Sequence, residues 1–207
     1  GDWTEGEDIY INGGASRSFQ HPPSYGDPDN INHPYFVPFT NNPSMFTNDN
    51  GGVHSNSGIP NKVLYLVVQG DEHYEIDVLP FEQNINDSRN IASSIWYNWN
   101  RYYLDSEDDF EIAREKMILV ANDIFPNHPM YVQTISNAWA SVGVGESLIF
   151  GDLNEDQIIN IQDVILMIGI IIGTIEASDT QQLNADINQD DIIDILDVVL
   201  IINIIFN

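Results

Sequence analysis

Hydrophobic and polar positions divide the 207-residue chain into a loop-rich opening, a helical middle and an apolar-striped end. Residues 1 to 54 are rich in Gly, Pro and Asn, show neither a 3.6 nor a 2.0 period, and predict long ordered loops. From Ile59 the pattern changes. Pro60 suits a first helical turn, and Val63, Leu64, Leu66, Val67 and Val68 predict a buried helix ending at Gly70. Asp87 or Asn86 is a candidate cap for a helix carrying Ile91, Ile95, Trp96, Trp99 and Tyr102. Ser106, with Asp109 three residues on, opens another whose Ile112, Met117, Val120 and Ile124 recur at helical spacing. A last helix of this body, about Pro129 to Val142, offers Val132, Ile135, Trp139 and Val142 to the core. The expected fold class is therefore mainly α.

Self-comparison finds one repeat. The run from Gly151 to Asp163, Gly-Asp-Leu-Asn-Glu-Asp-Gln-Ile-Ile-Asn-Ile-Gln-Asp, recurs from Ala185 to Asp197, offset by 34 residues. The likeness lies in an acidic loop and not in helix-packing positions, which sets tetratricopeptide arrays aside. A separate module follows, with its boundary between Gly143 and Gly151, and domains are expected at 1–148 and 149–207. Its apolar runs, Val164 to Ile172 and Val198 to Ile202, fall short of the ~18 residues that cross a bilayer, so no membrane span is expected.

Charge sharpens the division. The chain has 32 Asp and Glu against 6 Lys and Arg, a formal net charge of -26, which excludes nucleic acid as a natural partner and invites cations. Residues 151–207 hold 11 acidic side chains and no basic one. Cysteine is absent, so neither disulfides nor thiolate metal sites are available. No basic stretch precedes an apolar one at the start, and the opening Gly1-Asp2-Trp3 without an initiator Met suggests a processed piece of a longer chain.

In each repeat, oxygen-bearing side chains stand at loop positions 1, 3, 5, 9 and 12: Asp152, Asn154, Asp156, Asn160 and Asp163, then Asp186, Asn188, Asp190, Asp194 and Asp197. Position 7 donates a backbone carbonyl, from Ile158 and Ile192, and this spacing wraps a chain around one hard cation, calcium. Two calcium ions are expected in 151–207. Position 6 favours Gly but holds Gln157 in the first loop and Asp191 in the second, and the second loop has one carboxylate more, so its site is expected to bind more tightly. With Asp at position 12 and one helix after each loop, the module resembles dockerin type I domains over 151–207. The resemblance implies a cohesin-like scaffold as partner, met through Ile161, Gln162, Ile195, Leu196 and the helices that follow. Those helices are apolar on every side, which leaves a face either for residues 1–150 or for a partner.

The five histidines, His21, His33, His54, His73 and His128, show no zinc-ligand spacing and no His-Glu-x-x-His, and there is no Gly-x-Ser-x-Gly. The run Asp49-Asn-Gly-Gly-Val-His-Ser-Asn-Ser-Gly-Ile-Pro-Asn61, however, resembles the active-site segment of thermolysin-family metallopeptidases. Asp2-Trp-Thr-Glu-Gly-Glu-Asp8, Ser16-Arg-Ser18, Tyr25-Gly-Asp-Pro-Asp29 and Ala138-Trp-Ala-Ser-Val-Gly-Val144 extend the likeness over nearly all of 1–146. It implies the family's C-terminal domain, a loop-rich segment plus helical bundle. It further implies that His54 donates a hydrogen bond to the tetrahedral oxyanion, that Asp49 orients it, and that Arg17 holds a carbonyl of the peptide substrate. Asp2 and Glu7 would form half of a further calcium site, although Thr4 stands where the family has an acid. Asn30 to Thr47 is longer and more aromatic than the family's loop.

The zinc helix and its general base belong to the family's preceding half and are not in these 207 residues. Zinc is thus expected only with a separate N-terminal peptidase half, and this chain is expected to be inactive alone. The functional expectation is the C-terminal portion of a secreted thermolysin-like zinc metalloendopeptidase with a calcium-dependent, dockerin-like tether to a scaffold or cell surface. The alternative is a structural or assembly subunit that self-associates through its apolar helices and retains a peptidase remnant.

Overall fold

The computed structural model describes residues 3–6, 14–126, 128–188, 190 and 192–206, with Pro129, Asp179 and Thr180 described by their backbone alone. The chain forms two compact units, Gly1–Ala121 with Thr134–Ser147, and Asn122–Gln133 with Leu148–Asn207. Among the described residues, helix dominates and the sheets are two-stranded.

In the first unit, β1 (Thr4–Glu5) pairs antiparallel with β2 (Arg17–Ser18), Glu5 opposite Arg17. A 3-10 turn at Pro22–Tyr25 follows, and loops run to α1 (Asp49–Gly52). The expected buried helix is α2 (Gly58–Gln69), in which Ile59, Val63, Leu66 and Val67 are wholly buried, and Gly70 closes it with φ 70. Gly58 is required by close approach: a Cβ there would meet the Pro28 carbonyl oxygen at 2.3 Å.

A hairpin absent from the sequence expectations follows, β3 (Asp71–His73) against β4 (Ile76–Val78). Its two-residue turn, Tyr74-Glu75, holds φ values of 48 and 66, as a primed turn demands, but without the Asn-Gly pair that announces one. α3 (Ile85–Asn98) is capped by Asn84, whose side chain accepts the Asn86 N–H at 2.9 Å, so the cap is neither Asp87 nor Asn86. A π-helical turn, Trp99–Tyr103, continues it and shifts the helical phase. Trp99 stays buried while Tyr102, on the expected apolar stripe, is 66% exposed.

α4 (Phe110–Ile124) starts at Asp109, whose carboxylate accepts the Ile112 N–H at 2.9 Å, and Ser106 lies outside it in a turn. Met117 and Val120 are buried, whereas Ile112 and Ile124 are exposed. α5 (Pro129–Ser141) ends in the first unit's core, where the Trp139 ring lies 6.2 Å from Trp99 and 6.0 Å from Phe110. Its indole N–H points at the Met117 sulfur, 3.3 Å away.

In the second unit, α6 (Ile161–Ile171) and α8 (Ile195–Phe206) pack on each other through buried Val164, Met167, Val198 and Ile201. Between them lies α7 (Asp179–Ala185), not expected from the sequence, opened by a Ser178–Gln181 capping box. No helix among the described residues is long and apolar enough to cross a membrane.

Candidate functional site

The segment from Asn48 to Ser57 is built around one carboxylate. Asp49, Asn50, Gly51 and Gly52 all hold positive φ, between 50 and 87. Two glycines and two residues that tolerate the left-handed region permit this tight curl. The curl returns the chain so that Asp49 Oδ2 accepts the N–H groups of His54 and Ser55, both at 2.9 Å, and the Ser55 hydroxyl at 3.1 Å. Asp49 Oδ1 meets His54 Nδ1 at 2.6 Å. The His54 hydrogen bond foremost, then the Ser55 N–H, hold the Asp49 carboxyl well below the usual carboxylate range. An ionised Asp49 only accepts, which assigns the proton to Nδ1. The His54 side chain is 61% exposed, so its other nitrogen, Nε2, is open to a group arriving from solvent.

Arg17 enters from β2. One guanidinium nitrogen donates to the Ser57 hydroxyl and another to the His54 carbonyl oxygen at 3.3 Å, while the Ser57 hydroxyl donates to the same carbonyl at 2.5 Å. A cation thus underpins the imidazole's own peptide unit. Burial pushes the nearby Asp27 carboxyl up, against the pull of the Arg17 guanidinium. The structure therefore brings His54, Asp49 and Arg17 together, and adds Ser55 and Ser57 as the groups that fix them. Both serines lie within the distinctive sequence run, but nothing in their spacing disclosed those contacts.

Beside this segment lies a cavity of about 440 Å³ that sequence reasoning missed, lined largely by Phe36, Val37, Phe39, Val53 and Phe110. Its residues come from three separated stretches, two of them without periodicity.

In the second unit the two acidic loops fold alike. Asp152 is 3% exposed and accepts the N–H groups of Asp156 at 3.2 Å and Gln157 at 2.8 Å. Asp163, fully buried, accepts those of Leu153 at 2.9 Å and Asn154 at 3.2 Å through Oδ1, and of Asn160 at 2.9 Å through Oδ2. Asp197 repeats this with Ile187, Asn188 and Asp194 at 2.9, 3.2 and 2.9 Å. Asp186 and Asp190, and Asn154 and Asp156, are likewise joined within their loops. Ile158 and Ile192 turn their side chains to solvent, at 62% and 59% exposure. Gln157 takes φ 66, the strained position that the sequence marked. From α7, Gln181 and Asn184 donate to the Leu153 and Asp152 carbonyls at 2.8 and 2.9 Å, a brace for the first loop that sequence reasoning missed.

Among the described residues no three His, Asp or Glu side chains converge as a metal-holding group. The donor set nonetheless fits a hard cation: buried carboxylates, side-chain amide oxygens and no basic side chain anywhere in 151–207. Asp2, Glu7 and Asp191 lie outside the described residues.

A family profile described as the thermolysin metallopeptidase, alpha-helical domain, matches residues 1–144, and one for the dockerin type I domain matches 150–206. Over 146 residues, 69% of this chain, it is 37% identical to a bacillolysin of Brevibacillus brevis and covers 25% of that protein. A thermolysin of Alicyclobacillus acidocaldarius subsp. acidocaldarius is 37% identical and neutral protease B of Bacillus subtilis (strain 168) 32% identical over the same 69%, each covered to 24%. The chain spans about a quarter of the length of the curated relatives it matches.

Proposed function

The chain belongs to the thermolysin metallopeptidase family over residues 1–144 and carries a dockerin type I domain over 150–206, and from that premise we propose that it is the C-terminal portion of a secreted, thermolysin-like zinc metalloendopeptidase that a calcium-loaded module tethers to a cohesin-bearing scaffold or cell surface. The boundary falls at 148/149. The observation that carries this is the Asp49–His54 pair at 2.6 Å, held over Arg17 with Nε2 exposed.

Zinc, held by a His-Glu-x-x-His helix that these 207 residues do not contain, would supply Lewis-acid activation at the scissile carbonyl. This chain's residues do the rest of the charge management. His54 Nε2 donates a hydrogen bond to the oxyanion as negative charge develops on it. Asp49 fixes the ring through Nδ1 and stabilises its cationic form. Arg17, anchored on Ser57 and the His54 carbonyl, holds the ring's backbone and offers its remaining donors to a substrate carbonyl.

In the module, Asp152, Asn154, Asp156, Asn160 and Asp163 with the Ile158 carbonyl would hold one calcium, and Asp186, Asn188, Asp190, Asp194 and Asp197 with the Ile192 carbonyl a second, tighter one. Asp2 and Glu7 would contribute to a third. Ile161, Ile165, Ile168, Ile195, Leu196 and Val199, all exposed, form the face offered to a scaffold.

The test is reconstitution of this chain with a thermolysin-like N-terminal half carrying the zinc motif. Peptidase activity should appear, and His54→Ala should lower kcat about 10²–10³-fold, the usual cost of one oxyanion donor. Equal activity with His54→Ala would end the proposed mechanism. Loss of all assembly with the half, together with self-association through the module's apolar face, would favour a structural subunit instead.

A further inference from the structure

We infer that Lys62 and Tyr65, one turn apart on α2, are positioning residues for Arg17: they fasten the chain just beyond β2 to the same helix whose entry anchors the Arg17 guanidinium. This rests on the proposed peptidase role, in which Arg17 meets a substrate carbonyl. α2 begins directly after Ser57, the residue whose hydroxyl accepts from the guanidinium. Farther along α2, the Lys62 ammonium donates to the Gln20 carbonyl at 3.0 Å, and the Tyr65 hydroxyl accepts the Gln20 side-chain N–H at 3.1 Å. Gln20 stands three residues after Arg17 and two after the end of β2. Between them, the Phe19 N–H donates to the Trp3 carbonyl at 2.7 Å, and the Trp3 ring meets that of Tyr65 edge-on at 5.2 Å. The head of Arg17 and the chain leaving it are thus both tied to one helix. Arginine loses much rotamer freedom when it is held, so a fixed base is what lets its planar fork meet one carbonyl in one orientation.

The fastening is buried. Lys62 is 4% exposed, and its ammonium lies 4.7 Å from the Tyr65 ring centroid. Burial pulls the Lys62 pKa down, and the Asp71 and Asp29 carboxylates oppose that pull. The Tyr65 hydroxyl donates onward to Asp71 Oδ2 at 3.3 Å, which fixes the oxygen that receives Gln20. Apolar residues in place of buried ion pairs are often neutral or stabilising, so a buried lysine aimed at a backbone carbonyl points to geometry as its contribution.

Two readouts test this, the first without zinc or turnover. In the 207-residue chain the Arg17 guanidinium N–H signals should be resolved and slow to exchange with water. Lys62→Met should speed that exchange at least about tenfold, the factor for losing one charge-assisted hydrogen bond. Tyr65→Phe, which keeps the ring beside the ammonium, should speed it by less, and it decides the matter if Lys62→Met does not fold. Val120→Ala, wholly buried on α4, is the control for lost stability and should leave those signals unchanged. Unmoved Arg17 signals in the deciding variant, or equal changes in Val120→Ala, would overturn the proposal. The second readout is a double-mutant cycle in the chain reconstituted with a zinc-carrying half. Lys62→Met combined with Arg17→Ala should lose no more kcat/KM than Arg17→Ala alone, because Lys62 acts through Arg17; losses that multiply would overturn the positioning role. A reconstituted chain without activity would sink the peptidase role, and the exchange readout would still decide whether Lys62 and Tyr65 hold Arg17.

Discussion

Replacing Asp163 by Ala removes one carboxylate on which three backbone N–H groups converge, those of Leu153, Asn154 and Asn160. Asp163 is wholly buried, so no solvent stands ready to replace it. Each stranded donor costs about 1–3 kcal/mol, and three together cost at least ~3 kcal/mol. A domain the size of 150–206 has about 3–8 kcal/mol of stability in all, at ~0.05–0.15 kcal/mol per residue. The substitution therefore removes most of what holds the module folded. Asp163→Asn keeps one acceptor oxygen and should lose less, but its response to calcium should be weakened as well. For the unaltered chain, calcium at a hundred times its Kd adds about 2.7 kcal/mol by mass action.

Hydrogen exchange read by mass spectrometry separates these effects locally, with peptides from 150–206 as the signal and those from 58–69 as the internal control. The unaltered chain should gain protection in 150–206 on adding calcium. Asp163→Ala should lose protection there in chelator and calcium alike, with 58–69 untouched. A module equally protected in Asp163→Ala would refute the stated weight of its three hydrogen bonds, and one indifferent to chelator in the unaltered chain would refute the cation requirement.

Three further outcomes are expected. Asp49, held low by His54, contributes stability that is fully present above the ordinary carboxylate range and lost only as pH falls through its lower folded value; a carbon-13 titration placing its carboxyl at the ordinary value would contradict the 2.6 Å contact. Gly58→Ala should destabilise the first unit by about 1–3 kcal/mol, seen as a lower Tm in tryptophan fluorescence, because its Cβ collides with the Pro28 carbonyl. Ile165→Asp combined with Val199→Asp, at positions 62% and 51% exposed, should change stability by no more than about 1 kcal/mol yet abolish capture by a cohesin-bearing scaffold; retained capture would move the docking face elsewhere.

What the chain discloses before folding depends on how local the cause is. Helices α2, α4, α5, α6 and α8 follow from apolar spacing, and their burial agrees at Val63, Met117, Trp139, Val164 and Ile201. Their starts are harder, because Asn84, Asn86 and Asp87 have equivalent capping chemistry and only the backbone's turn picks Asn84. The β3–β4 hairpin was illegible since Tyr74 and Glu75 are poor residues for positive φ, forced there by pairing on both sides. The Asp49–His54 contact was suggested by a long resembling run. The cavity was not, since it needs Val37 pinned by Asn56 nineteen positions away and Phe110 from a different helix.

The two candidate sites share one local device and differ in what completes it. Asp49, Asp163 and Asp197 each accept backbone N–H groups from a short loop that closes around the carboxylate. In the first unit the chain supplies its own partner: Asp49, with its side chain 22% exposed, spends its second oxygen on the His54 imidazole. In the module Asp163 and Asp197 are fully buried, and no Lys, Arg or His exists in 151–207 to meet them. Backbone N–H groups answer these carboxylates but no cationic side chain does, and a buried charge without a counter-charge is costly. The same carboxylate device is thus closed by an imidazole in one place and left without a cationic side chain in the other, so protection in the module is expected to fall on adding chelator.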